Sequence, residues 1–126
     1  MKKEQQATLQ ERLNEAIESA GMKPIELSEK TGIPKSMLSY YLNGKTKPKA
    51  DRLHIIAQTL GVSEAWLLGY DVPMRRSADQ KKNDQLASLI VKMRTDDRFY
   101  NTVKALAELN ERQYHTVEQL IAAFNE

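Results

Sequence analysis

No cysteine occurs among the 126 residues of the sequence, which excludes disulfide bridges and thiolate chemistry. There is also no run of about eighteen apolar residues, which a membrane-spanning helix requires. Residues 1–6 are polar apart from the initial methionine, and they lack the apolar segment of a secretory signal. Together these absences predict a cytoplasmic protein that does not enter a membrane.

The sequence lacks the short patterns that carry most enzymatic and metal chemistry. It contains no P-loop, no GxSxG and no GxGxxG, and its glycines fall where helices are expected to end. His54 and His115 stand apart from any ligand-like spacing. Asp96 and Asp97 fit the start of a helix, where the helix dipole favours negative charge. We therefore expect no catalytic residues, no metal site and no cofactor.

Positive charge is unevenly distributed along the chain, although the formal net charge is only +2. Residues 1–76 carry a net charge of +3 and residues 77–126 a net charge of −1. From Lys35 to Arg52 there are five basic residues and a single acid, Asp51. Such a stripe is typical of a protein that touches phosphates with one face. An ordinary solvated charge run is the alternative reading if no DNA-binding motif accompanies it.

Apolar residues recur at helical spacing, and no stretch shows the sustained alternation of a β-strand, so we predict an all-α fold. Thr8 and Glu11 have the spacing of a capping box, Ser63 is a suitable N-cap, and Trp66 is expected to pack in the core. Glycine and proline divide the first seventy residues into five short helices, near residues 9–20, 24–31, 34–43, 53–60 and 64–68.

The composition changes after the fifth helix. Residues 73–83 are mostly polar, and we interpret them as a linker between a domain of residues 1–72 and a C-terminal segment of residues 84–126. Three amphipathic helices are predicted in that segment, with Asn110 and Gln113 as a cap signal between the last two.

A segment of roughly forty residues rarely buries enough apolar surface to fold alone. Its apolar faces must be covered by the first domain or by a second copy of the segment, and the polar linker favours the second copy. We therefore predict a homodimer formed through the apolar residues of the three helices: Leu86, Leu89, Ile90, Met93, Phe99, Val103, Leu106, Val117, Leu120, Ile121 and Phe124.

Residues 26–44 show the pattern of a helix-turn-helix, in which two short helices join at Gly32. On the second helix Lys35, Ser36 and Ser39 share one face. Leu38 and Leu42 lie on the opposite side and are expected to be buried. The exposed face suits a DNA major groove, and the basic loop after it suits the sugar-phosphate backbone. We predict base contacts from Lys35, Ser36, Ser39 and Tyr40, and phosphate contacts from Asn43, Lys45, Thr46, Lys47 and Lys49.

The run from Gly32 to Gly44 resembles the recognition segment of the lambda-repressor-like (XRE, Cro/CI) helix-turn-helix regulators. Residues 60–74 are similar to the fifth helix and exit segment of CI-like repressors from temperate phages of Gram-positive bacteria. The resemblance covers about residues 9–74. It implies a five-helix DNA-binding domain, base contacts at Lys35 and Ser36, and a phosphate contact at Asn43.

Two departures from the family pattern qualify these expectations. Many members carry a polar residue, often glutamine, at the position of Pro24, so only backbone donors are expected there. Larger phage repressors often add a self-cleaving domain with a catalytic serine and lysine. About forty residues follow the linker here, too few for such a domain. Relief of repression is therefore expected from an antirepressor protein or another signal.

The sequence as a whole predicts a repressor that binds a roughly palindromic, double-stranded operator as a homodimer. One alternative is an antitoxin whose C-terminal helices mask a toxin. Another is a protein-interaction adaptor whose helix-turn-helix no longer binds DNA, against which the retained Lys35, Asn43, Lys45 and Lys47 argue. An enzyme is the weakest candidate because no catalytic constellation is present.

Overall fold

The computed structural model describes residues 5–126. Residues 1–4 lie outside the described residues. They include most of the N-terminal stretch that was used to argue against a secretory signal, and they begin the domain predicted for residues 1–72. Within residues 5–126 the regular structure is helical and no strand is formed, which confirms the all-α prediction. The helices are α1 (Leu9–Ser19), α2 (Pro24–Thr31), α3 (Lys35–Leu42), α4 (Ala50–Leu60), α5 (Glu64–Leu67), α6 (Ala78–Thr95), α7 (Asp97–Ala107) and α8 (Glu111–Phe124).

Side-chain caps begin several of the helices at the positions that the sequence predicts. The Thr8 hydroxyl accepts from the N–H of Glu11 at 3.2 Å and begins α1. Asp96 accepts from the N–H of Phe99 at 3.1 Å and begins α7. Each bond satisfies an N–H that has no partner inside its helix. Ser63 and Asn110 cap α5 and α8 in the same way.

Residues 1–81 and 82–126 form two compact units, which we call unit 1 and unit 2. In unit 1, α1 packs on α3 and α5, α2 packs on α3 and α4, and α4 packs on α5. The buried apolar side chains form one cluster: Leu9, Leu13, Ala16, Ile17, Leu27, Ile33, Leu38, Tyr41, Leu53, Ile56, Ala57, Val62, Trp66 and Leu67.

Two aromatic residues complete this core. Trp66 is buried as predicted, and the Arg12 guanidinium lies 4.6 Å from the centroid of its ring. Tyr41 is buried as well, which the sequence did not indicate. The prediction that Leu42 is buried holds only in part. Leu42 is the last residue of α3, and it packs at the edge of the core while Tyr41 occupies the interior.

The structure departs from the linker predicted over residues 73–83. Met74 packs against the core of unit 1, and Arg76 is buried. Residues 78–83 are helical, because α6 begins at Ala78. The polar residues in this stretch are compatible with an exposed helix, so polarity alone did not distinguish a helix from a linker. The functional division at residues 72 and 84 stays a prediction.

Unit 2 contains most of α6 together with α7 and α8. No apolar side chain in residues 82–126, all of which the structure describes, is buried. Phe124, near the end of α8, is 76% exposed, and Leu120 is 56% exposed. The three helices therefore leave their apolar faces largely open. Within residues 5–126, no helix combines the length and apolar character needed to cross a membrane.

Gly69 is required where the N-terminal segment meets the end of α5. Its φ is +97°, and the N–H groups of Gln6 and Ala7 both donate to its carbonyl oxygen, at 2.6 and 3.3 Å. A Cβ at this position would overlap the carbonyl oxygen of Ala7 and lie 2.8 Å from its carbon. Any side chain must therefore break this pairing or displace the segment.

We expect Gly69→Ala to destabilise unit 1 more than Gly21→Ala does. Both positions have a left-handed backbone, which costs an L-residue roughly 1–2 kcal/mol, but a Cβ at Gly21 would meet nothing within 4 Å. The clash at Gly69 should add about 1–3 kcal/mol. Urea denaturation followed by the fluorescence of Trp66, the sole tryptophan, reports on unit 1. Equal losses of stability in the two variants would contradict the steric role of Gly69.

Candidate nucleic-acid interface

The two sides of α3 differ in burial. Leu38 and Tyr41, three residues apart, are buried in the core. Lys35, Ser36, Ser39 and Tyr40 are exposed, Tyr40 by 45%. Their numbering follows the i, i+1, i+4, i+5 spacing of one helical face. The structure thus brings together on one exposed surface all four residues that were predicted to contact bases.

The turn that precedes α3 is held by side-chain hydrogen bonds. Gly32 adopts a left-handed conformation with φ +75° and ends α2. The Ser28 hydroxyl donates to the Ile33 carbonyl at 2.7 Å. The Thr31 hydroxyl donates to the Leu27 carbonyl at 2.7 Å and accepts from the Ile33 N–H at 3.2 Å. With Ile33 itself buried, these bonds hold the start of α3 against α2.

The other end of α3 is held by α1. The Asn14 side-chain amide donates to the Leu42 carbonyl at 3.1 Å and to the Gln10 carbonyl at 2.8 Å. It thereby satisfies a carbonyl at the end of α3, which has no partner within the helix. Sequence reasoning missed Asn14. The available signal was an asparagine in a helix interior, where this residue type is disfavoured unless its amide has a partner.

The loop after α3 keeps its polar side chains exposed and close to the helix. Asn43 caps the C-terminal end of α3, and its side-chain amide lies 3.4 Å from the Ser39 hydroxyl. The Lys45 N–H donates to the Tyr40 carbonyl at 2.9 Å. The Lys45 ammonium lies 5.7 Å from the centroid of the Tyr40 ring, within the range of a cation–π contact. The predicted base-contacting and phosphate-contacting residues therefore adjoin each other.

A basic groove lies beside the exposed face of α3. It has a volume of about 240 Å³, and Arg52, which sequence reasoning did not assign, contributes to its wall. The Arg52 guanidinium donates to the Tyr41 hydroxyl at 3.2 Å, so the buried tyrosine orients a cation at the rim. The residues that line the groove are Met37, Tyr41, Thr46, Lys47, Lys49, Asp51 and Arg52.

The N-terminus of α2, where only backbone donors were expected, is poorly suited to a phosphate. Pro24 occupies the first helical position and has no N–H to donate. The N–H of Lys23 lies 3.4 Å from the Glu26 carboxylate. This carboxylate places negative charge in the first turn, where a phosphate would otherwise meet the helix dipole. The structure therefore favours α3 and its following loop over the start of α2 as an anion-binding surface.

The residues predicted to mediate dimerisation lie in unit 2, whereas the surface just described belongs to unit 1. Most are exposed, and Met93, Phe99, Val103, Leu106 and Val117 are partly buried. Within this unit, α6 and α7 border a groove of about 400 Å³, lined by Ile90, Met93, Arg94, Asp97 and Tyr100. Its walls combine apolar side chains with one charge of each sign.

One comparison with known proteins identifies a helix-turn-helix in unit 1. The family model described as helix-turn-helix matches residues 13–67, less than half of the chain. The matched stretch starts within α1 and ends at the last residue of α5. No curated protein matches the chain.

Among solved structures, the chain is similar to one described as a transcriptional regulator from Listeria innocua. The two sequences are 20% identical. The match covers 94% of this chain and 92% of that one, with a TM-score of 0.47.

We expect Thr31→Val to destabilise unit 1 by about 1–2 kcal/mol, because it removes two hydrogen bonds and leaves the Ile33 N–H unpaired. Thr46→Val is the matched control, since it makes the same substitution at an exposed side chain of the same unit. Urea denaturation monitored by Trp66 fluorescence measures both variants. If Thr31→Val were no more destabilising than Thr46→Val, the turn would not depend on the Thr31 hydroxyl.

Proposed function

We propose that this protein is a non-enzymatic, sequence-specific transcriptional repressor of the phage CI type. In this proposal it acts in the cytoplasm and binds a roughly palindromic, double-stranded operator as a homodimer. α1–α5 would form the DNA-binding domain, and α6–α8 would supply the oligomerisation segment. The observation that carries the proposal is the exposed polar face of α3 beside a basic loop, within a stretch that matches the helix-turn-helix family.

The arrangement around α3 suits a major groove, which is about 12 Å wide and accepts one helix. Lys35 stands at the first turn of α3, from which side chains reach base edges, and its ammonium can donate to guanine O6 and N7. Ser36 and Ser39 are short and can both donate and accept. The Tyr40 ring lies at the margin of this face, where its apolar body could meet a thymine methyl and its hydroxyl a phosphate or a base.

Phosphate contacts are assigned to the residues that follow α3. Lys47 and Lys49 line the basic groove, and Lys45 is close to the Tyr40 ring. Ammonium groups in these positions would replace counterions along the DNA backbone, so affinity should fall steeply as salt rises. Asn43 and Thr46 would add hydrogen bonds to the backbone. Such contacts position the protein without reading the sequence.

Homodimerisation is supported by the exposure of the apolar residues in unit 2. Leu120, Ile121 and Phe124 are exposed along α8, and Leu86, Leu89 and Ile90 along α6. Covering them with a second copy would remove this apolar surface from water. Two recognition helices could then occupy half-sites one DNA turn apart, about 34 Å. Joining two weak half-site interactions raises the effective concentration of the second one.

The exposed faces of unit 2 also keep the antitoxin alternative open, because a toxin could cover the same residues. Likewise, an antirepressor that covered them would separate the two copies and relieve repression. An adaptor without DNA binding is less well supported. It would have no use for the exposed lysines and serines on and after α3.

Substituting Lys35 and Lys47 should separate base reading from backbone contact. Lys35→Ala should weaken binding and relax discrimination at one base pair, by roughly 1–3 kcal/mol if it reads a guanine. Lys47→Ala should weaken binding to all sequences alike and lower the salt slope by about 1. Selection of bound DNA from a random pool, followed by salt titrations of the selected site, measures both effects. An unchanged sequence preference in Lys35→Ala would remove Lys35 from the base-reading set.

Charge placed on the apolar face of α8 should separate the proposed dimer. We expect Leu120→Asp to shift the full-length protein from dimer to monomer at micromolar concentration, because the carboxylate would be desolvated in the interface. Gln119→Asp adds the same charge one position away and should remain dimeric. Light scattering during gel filtration gives the molar mass. A monomeric wild-type protein at concentrations that bind the operator would refute dimerisation through unit 2.

A further inference from the structure

The chain leaves unit 1 along a path that is held by backbone hydrogen bonds. The N–H of Ser63 donates to the Met74 carbonyl at 2.8 Å, and the N–H of Arg76 donates to the Gly61 carbonyl at 3.1 Å. Between them, Val62 and Arg75 form an isolated antiparallel bridge. Residues 74–76 are thus paired with the connection between α4 and α5, and do not hang free of the unit.

The Arg76 side chain also binds this path to the α4–α5 connection and to α5. It is 4% exposed, and its guanidinium donates to the Val62 carbonyl at 3.0 Å and pairs with the Glu64 carboxylate. The second oxygen of that carboxylate lies 3.4 Å from Nδ1 of His54. Separating the exit path from α5 would break this hydrogen bond and this ion pair of a buried guanidinium, so the exit path should not separate readily from α5.

Helix α6 begins almost at once after this anchor. The Ser77 N–H donates to Oε1 of Gln80 at 2.7 Å, and the Gln80 N–H donates to the Ser77 hydroxyl at 3.1 Å. This reciprocal pair is a capping box that starts the helix at Ala78. A single residue therefore separates the buried Arg76 from α6, where the sequence predicted an eleven-residue linker. The hydrogen-bonded path therefore extends from the α4–α5 connection into the first turn of α6, within unit 1.

We propose that Arg76 is a positioning residue which, through its anchor on Glu64 and Val62, determines the half-site spacing that the protein accepts. The inference rests on the proposed function, since it requires a homodimer joined through the helices that follow the anchor. When the exit path is hydrogen-bonded to unit 1, it limits the half-site separations at which the two recognition helices of a dimer can bind DNA simultaneously. A released path behaves as a flexible tether, which tolerates a range of separations.

The test uses the full-length protein and artificial operators in which two selected half-sites are moved apart in steps of one base pair. Each step shifts a half-site by about 3.4 Å and rotates it by about a tenth of a turn. Arg76→Met removes the side-chain anchor, which is the hydrogen bond to Val62 and the ion pair with Glu64. Arg75→Met is the matched control, because it removes the same charge one residue earlier from an exposed side chain. Binding to a single half-site is measured alongside.

We expect the wild-type protein and Arg75→Met to prefer one spacing over its neighbours by about tenfold in Kd. In Arg76→Met this preference should fall below about threefold, with affinity for a single half-site unchanged. The decisive readout is the spacing profile, which is the affinity measured as a function of half-site spacing. If Arg76 had a purely structural role, its substitution would lower the affinity at every spacing and leave the shape of this profile unaltered. Glu64→Ala removes the carboxylate of the ion pair from a partly exposed position. It should also weaken the preference for one spacing, and it decides the test if Arg76→Met does not fold.

A profile as sharp as that of the wild-type protein in both Arg76→Met and Glu64→Ala would overturn the inference and leave the proposed function standing. A wild-type protein that binds half-sites without preferring any spacing would overturn the inference together with the dimeric part of the proposed function. Trp66 fluorescence during urea denaturation establishes that each variant retains a folded unit 1.

Discussion

The burial of Leu38 and Tyr41 on one side of α3 is the constraint on which the candidate interface depends. Since these side chains occupy the core, the helix cannot rotate without exposing them, and the opposite face must remain in solvent. Thr31 and Ser28 hold the start of the helix, and Asn14 holds its end. The exposed face is therefore already arranged in the free protein, so little ordering of α3 would have to accompany DNA binding.

The two units differ in how far they bury their apolar residues. Unit 1 buries Leu13, Leu27 and Ile56 almost completely in one cluster. Unit 2 buries no apolar side chain, although α7 and α8 have clearly amphipathic sequences. An amphipathic helix gains most of its stability from packing that face, so the second unit has apolar surface that packing against a further protein chain would stabilise. This contrast links the structure to the proposed homodimer.

Much of the local structure could be predicted because its causes are local. Thr8, Asp96 and Asn110 cap the helices that they precede. The exposed set on α3 also follows from spacing, because the position of a few buried residues determines which side of a helix faces solvent. In contrast, the roles of Asn14 and Arg76 depend on residues that lie far away in the sequence. No local pattern contains that information.

The sequence by itself determined the all-α class, the starts of the helices with side-chain caps and the residues exposed on α3, since periodicity and capping act over a few residues. The tertiary structure alone decided that Tyr41 is a core residue that orients Arg52. It also decided that the chain after α5 is anchored through Arg76 and continues almost directly into α6. A polar stretch becomes a linker or a packed segment according to the partners that folding brings beside it, and here these partners include the carbonyl of Val62 and the carboxylate of Glu64.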